Sequence, residues 1–181
     1  MLPEERTSEG YLPIVLDTTV LSNYALSNAI EWLVQAVKIP VTVHAVRQEL
    51  ENGVKEGYEY LENAITHMEL MDSVPNAPRN KISVVNLGGL PRNDAPEAMK
   101  KLDRGEAHAL YKAWPEGILA TDDLDARKLA KKRDVYVTGS VGLLADGVLR
   151  DELSTDTANE WLQTWEEAGY RSPVESVTEL L

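Results

Sequence analysis

Three carboxylates stand where a strand passes into a helix and two more lie within helical stretches, and carboxylates are the side chains that hold hard divalent cations or move protons. Asp17 closes the apolar run Ile-Val-Leu at 14–16 and precedes a helical pattern. Asp122 and Asp123 close residues 117–120 in the same way. Glu49 lies about a turn and a half inside a helix that begins near His44, and Glu106 follows Gly105 in another helical stretch. In an open parallel sheet, ligands bind beyond the carboxyl ends of the strands, where the first amides of the next helix favour an anion. Acids delivered to that edge by several crossovers would form a metal cage. Taken singly they have plainer roles: Asp17 can cap its helix or close a turn, and Asp103 with Glu106 has the three-residue offset of a capping box.

Those positions hold only if the chain supplies the elements. Residues 14–16 read as a short buried strand, followed at helical spacing by Val20, Leu21, Tyr24, Ala25, Leu26, Ile30, Leu33 and Val34, with Thr18, Thr19 or Ser22 available as a cap. Residues 39–43 (Ile-Pro-Val-Thr-Val) predict a second strand, with Pro40 at its beginning where a missing N–H is tolerated. The helix carrying Glu49 is expected to stop at Asn52-Gly53. Residues 56–71 space Tyr58, Leu61, Ala64, Ile65, Met68 and Met71 as an amphipathic helix does. Residues 82–87 predict an edge strand and residues 88–94 a loop, after which helix resumes and carries Glu106. Residues 117–120 and 135–138 predict strands, residues 124–133 and 141–148 helices, and the remainder, with Trp161, Leu162 and Trp165 and then residues 174–181, two packing helices. This alternation predicts an α/β protein, a parallel sheet with right-handed crossovers.

A chain of 181 residues suits one domain, here residues 13–181 behind an exposed tail at residues 1–12. No long apolar run exists, and the acidic N-terminus lacks the basic and hydrophobic parts of a secretory signal, so a soluble cytoplasmic protein without membrane contact is expected. The absence of cysteine excludes disulfides, thiolate zinc sites and thiol catalysis. A formal charge of −12 opposes broad adhesion to nucleic acid or anionic membrane, so any phosphate-bearing substrate needs local cations.

Four segments in order then resemble a known family. Ile-Val-Leu-Asp-Thr-Thr-Val-Leu (14–21), Val-Arg-Gln-Glu-Leu (46–50), Leu-Asp-Arg-Gly-Glu-Ala (102–107) and Ala-Thr-Asp-Asp-Leu-Asp-Ala-Arg (120–127), joined by Val-Tyr-Val-Thr-Gly-Ser (135–140), are similar to motifs of the PIN domain nucleases. The resemblance is in particular to the VapC-like toxins and their relatives with a Gly-Glu-Ala motif. It implies a PIN-like three-layer α/β fold, with a central parallel sheet of four to five strands flanked by helices. It carries the catalytic and metal-binding acids onto Asp17, Glu49, Glu106, Asp122 and Asp123, with Mg²⁺ or Mn²⁺ as cofactor. RNA is the implied substrate, cut to leave 5′-phosphate and 3′-hydroxyl ends. Many relatives have Asp where Glu106 stands, and the family's Thr-x-Asp pattern favours Asp123 over its neighbour Asp122. The resemblance further implies the toxin of a type II toxin–antitoxin pair, a small antitoxin partner and a homodimer.

The residue chemistry agrees with those implications. Oxygen ligands without Cys suit Mg²⁺ or Mn²⁺, and one or two such ions activate water and neutralise charge in phosphodiester cleavage. Two carboxylates about 4 Å apart repel by roughly 4 kcal/mol at an effective dielectric near 20, so four or five together need a cation or take up protons. RNA must still approach an acidic chain. Arg127 with Lys131, and Lys128 with Lys132, form neighbouring i, i+4 rows opposite Ala126, Leu129 and Ala130, and are the candidate RNA contacts, with Lys100, Lys101 and Arg104 able to extend them. Thr18, Thr121 and Ser140 offer hydroxyls beside the acids, and Asn23 is similarly placed. His44, His67 and His108 read as surface or capping groups, Trp161 and Trp165 as packing. Two rival readings are a phosphotransferase of the haloacid dehalogenase type with Asp17 as nucleophile, and a PIN fold used as a non-catalytic scaffold. The first is weakened by Thr19, which stands where those phosphatases usually have a second Asp.

Overall fold

The short apolar runs pair into a sheet, and the acids fall where those runs end. The computed structural model describes residues 6–7, 10–71, 80–88, 90, 102–114 and 117–181. In chain order these form β1 (Arg6–Thr7), β2 (Gly10–Tyr11), β3 (Ile14–Leu16), α1 (Thr18–Leu26), α2 (Ile30–Ala36), β4 (Pro40–Val43) and α3 (His44–Lys55). A 3₁₀ turn (Glu59–Leu61), α4 (Glu62–Thr66), β5 (Met68–Met71) and β6 (Ile82–Val85) follow. The rest comprises α5 (Arg104–Ala113), β7 (Ile118–Ala120), α6 (Leu124–Lys131), β8 (Tyr136–Thr138), α7 (Ser140–Leu149), α8 (Thr155–Glu167) and a 3₁₀ turn (Val177–Leu180). Among the described residues no helix is long and apolar enough to cross a membrane.

Six strands make one parallel sheet in the order β5-β6-β4-β3-β7-β8, flanked by helices, one strand more than expected. Strands buried on both faces read as continuous aliphatic runs, and Val15, Leu16, Val41, Val43, Leu119 and Ala120 are all fully buried. From β3 the chain builds outward through β4 on one side, then returns to lay β7 on the other. The order therefore reverses between β3 and β7, and at such a reversal the crossovers part and leave a crevice at the carboxyl edge. Asp17 donates its amide to the Ala120 carbonyl at 3.1 Å, which ties the end of β3 to the end of β7.

Five local expectations change. Residues 56–71 are not one helix: Met68–Met71 pairs in parallel with β6, because neighbouring strand edges outweigh the helix preference of Met, Glu and Leu. That pairing makes β6 an interior strand and leaves β5 and β8 as the sheet's edges. The single helix expected over residues 20–34 is two, divided at Asn28, whose φ of 54° is left-handed. The Asn52-Gly53 stop is passed: a Cβ on Gly53 would sit 2.5 Å from Leu61 Cδ1, so the glycine serves packing, and α3 runs to Lys55. At the N-terminus β1 and β2 pair antiparallel, so part of the expected tail is structured. The loop assigned to residues 88–94 lies largely outside the described residues, as do Lys100 and Lys101.

Asn28 gives a direct stability test. Its side chain accepts from Asn63 Nδ2, and alanine at a left-handed position costs about 1 kcal/mol where asparagine is tolerated. Asn28→Ala is expected to lower the melting temperature by roughly 2–4 °C, and Asn28→Gly to lower it less, read by circular dichroism.

Candidate active site

The five acids arrive on four separate segments of the chain. Asp17 follows β3 and caps α1: its Oδ1 accepts from Val20 N at 3.0 Å and from Thr19 Oγ1 at 2.7 Å. The residue is 1% exposed, and Oδ2 is buried with no hydrogen-bond partner. Burial pushes its carboxyl up to about 7, the Thr121 hydroxyl, the Val20 amide and the Thr19 hydroxyl acting against the shift and the charge of Asp122 with it. An ionised oxygen without a donor in such a place is costly unless a cation meets it.

Glu49 reaches the same edge from α3. It accepts from Thr18 Oγ1 and, at 2.7 Å, from the amide of Gly105. A Cβ on Gly105 would collide with the Glu49 carboxylate, so glycine is what lets α5 start this close to α3. Burial raises the Glu49 carboxyl as well. Glu106 completes a capping box with Asp103: the Asp103 amide donates to Glu106 Oε2 at 3.1 Å, and the Glu106 amide to Asp103 Oδ1 at 2.8 Å. Its carboxyl is pushed up to about 7, first by burial and then by the charges of Asp103, Asp123 and Asp17. The capping role and the place among the other acids therefore coexist in one side chain.

The two acids after β7 have different surroundings. Asp123 caps α6 through Oδ1, which accepts from Ala126 N at 2.7 Å, and its amide donates to the buried Thr121 hydroxyl at 3.1 Å. Asp122 is enclosed by donors: Ser140 N (2.9 Å) and Tyr170 OH (3.2 Å) on Oδ1, Ser140 Oγ (2.5 Å) and Asn23 Nδ2 (3.1 Å) on Oδ2. Both its oxygens are engaged in tying α1, α7 and the segment after α8 to the end of β7. Among the described residues no three acids already close on a common point as they are placed, because Thr18, Gly105, Asp103 and Ser140 hold several of them. The donor set still fits a hard cation. It is all oxygen, it is anionic, and it includes the buried Asp17 Oδ2, which accepts no hydrogen bond.

A family model described as a PIN domain matches residues 13–181. The chain belongs to the PIN domain family. No curated protein matches it. PIN domains are generally nucleases, hydrolases that use divalent metals, and the acids of this PIN domain stand where its parallel sheet opens, beyond the carboxyl ends of β3 and β7.

The other groups singled out in the sequence sort by position in this PIN domain. Arg127 turns inward, and its Nη1 donates to the carbonyls of Thr121 (2.8 Å) and Thr138 (2.9 Å). Lys128, Lys131 and Lys132 are exposed, Lys128 in a surface pair with Asp125 at 3.0 Å. Arg104 is exposed and donates to Gln48 Oε1 at 3.2 Å. His44 opens α3, and His67 Nδ1 stands 2.8 Å from the Asn63 carbonyl. His108 on α5 has its basicity lowered by burial and by Arg104. Trp165 is fully buried against Tyr24 (5.0 Å between centroids), and Trp161 packs on Trp32 (5.6 Å), so both tryptophans are packing residues. Tyr24 carries that core to the site, donating its hydroxyl to the Ser140 carbonyl at 3.0 Å. Sequence reasoning missed Tyr170 and offered Thr19 only as a candidate helix cap. Nothing local marks a lone tyrosine after a helix as a carboxylate donor.

Proposed function

We propose that this PIN domain is a Mg²⁺- or Mn²⁺-dependent endoribonuclease of the VapC-like subgroup with a Gly-Glu-Ala motif. It acts as a cytoplasmic homodimer, the toxin of a type II pair restrained by a small antitoxin. The observation that carries the reading is Asp17 Oδ2, buried and without a donor at the point where the strand order reverses. Asp17, Glu106 and Asp123 would hold the ion, with Glu49 joining when it leaves Thr18. Asp122, its oxygens taken by Ser140, Asn23 and Tyr170, positions the β7 end. When bound, the ion would supply Lewis-acid activation of a water and neutralise the charge that develops on the phosphodiester. Without the ion, the Glu106 carboxyl is pushed up to about 7, so it would give up its proton when the ion binds. Lys128, Lys131 and Lys132 offer the local cations that a chain of charge −12 needs to meet RNA.

The direct test is cleavage of single-stranded RNA with Mn²⁺, with EDTA, and by Glu106→Gln. Activity that needs the metal and fails in the variant, with products ending in 5′-phosphate, supports the reading. Cleavage that persists in EDTA sinks it. Gly105→Ala probes the same site without removing an acid. The new methyl must push the Glu49 carboxylate aside while improving helix preference, so the melting temperature is expected to change little. The rate constant for cleavage should fall by roughly tenfold to a hundredfold, as small misplacements of reacting groups do.

A further inference from the structure

A groove of about 710 Å³ runs alongside β8, from Tyr136 at the strand's start to Gly139 at its end, where its wall includes Asp122. That volume lies within the range of small-ligand sites. Its polar lining is unlike the acidic edge next door. Arg127 and Arg171 line it, together with Tyr136 and Tyr170. Arg127 spends one nitrogen on the Thr121 and Thr138 carbonyls, which fixes its plane. Tyr170 is fixed too, by its bond to Asp122 and its edge-on contact with Trp165 at 6.0 Å. Tyr136 is 46% exposed on the edge strand, and Val137 and Val141 add apolar surface.

We propose that this groove is a nucleotide subsite, holding one residue of single-stranded RNA beside the scissile bond, its base on Tyr136 and its phosphate toward Arg171. The proposal rests on the ribonuclease reading and deepens it. In a chain of charge −12, a concave surface with two guanidinium groups and no unsatisfied carboxylate is where a phosphate can approach, since both oxygens of Asp122 already accept hydrogen bonds. Stacking on a tyrosine face is open to any base, which suits a single strand rather than a duplex. Asp122 lies in the groove's wall at the carboxyl end of β8, so a strand lying along the groove from Tyr136 leads toward the acidic edge.

The test uses the full chain carrying Asp17→Asn, which leaves bound RNA uncut, and a short single-stranded oligonucleotide with one 2-aminopurine. Binding should quench the base. Tyr136→Ala is expected to remove the quenching and weaken affinity about tenfold, while Tyr136→Phe keeps both. Arg171→Ala should weaken binding and flatten its salt dependence, and Arg171→Lys should restore part of it. In the otherwise unaltered enzyme, Tyr136→Ala and Arg171→Ala should raise KM about tenfold with kcat held. Melting curves identify any variant that fails to fold. Unchanged affinity, quenching and KM in folded Tyr136→Ala and Arg171→Ala overturn the proposal and leave the groove to a protein partner. Quenching through Tyr136 in a protein that cuts no RNA upholds the subsite and defeats the nuclease reading, so the two failures are distinct.

Discussion

Asp17→Asn is expected to abolish RNA cleavage and yet, without metal at pH 8, to make the protein melt higher. The cleavage loss follows from removing the anionic oxygen at the centre of the proposed cage. Several kcal/mol of transition-state stabilisation depend on such a ligand, a loss on the order of a thousandfold or more. The stability gain follows from burial. A carboxyl pushed up to about 7 in the folded protein, against its ordinary value of 3.8, binds its proton more tightly when folded. The folded state is therefore penalised progressively as pH rises from about 4 to 7, and fully above that, by a few kcal/mol. Asparagine keeps the Oδ1 acceptor for Val20 and Thr19 and carries no charge, though its amide leaves a donor to satisfy. A net gain of roughly 5 °C is expected at pH 8, shrinking as the pH falls below 7 and disappearing near pH 4, where the aspartic acid is neutral in the folded and unfolded chain alike. Paired thermal melts at the two pH values check it. A variant that melts lower at pH 8, or by the same margin at both, would contradict the assigned burial cost.

The second large effect is that of the ion on the native protein. Mn²⁺ at about a hundred times its dissociation constant should stabilise the fold by about 2.7 kcal/mol, and so raise the melting temperature by roughly 5–10 °C. Asp17 and Glu106 both sit at about 7 without metal, so the ion must displace protons from them. The stabilisation should consequently be larger at pH 8 than at pH 6, and fall sharply in Glu106→Gln. No response to millimolar Mn²⁺ at either pH would favour a PIN fold kept as a scaffold.

Much of this arrangement was legible in the chain because its causes are local. The apolar or β-branched runs at 14–16, 40–43 and 118–120 read as buried strands, and an acid within two residues of the end of two of them lies at the carboxyl edge. Met68–Met71 was illegible for the opposite reason: Met-Glu-Leu-Met has no strand preference of its own and extends only because β6 is there to receive it. The separate fates of Asp122 and Asp123 were equally hidden. Adjacent residues of the same type share every local signal, and what divides them comes from Asn23, Ser140 and Tyr170, all distant in sequence. Arg127 looked like part of an exposed basic row from its spacing with Lys131. Its guanidinium turns inward because the ends of β7 and β8 offer carbonyls it can reach.

The parallel pairing of Ile14 with Ile118 has a bearing on when the acidic edge can assemble during synthesis. A growing chain that has exposed β3, β4 and β6 has Asp17 and Glu49 in hand but no neighbour for the far side of β3, and Asp123 is not yet synthesised. The crevice closes only once β7 and the residues after it have left the ribosome and docked, so a product that ends before Asp123 lacks the assembled edge.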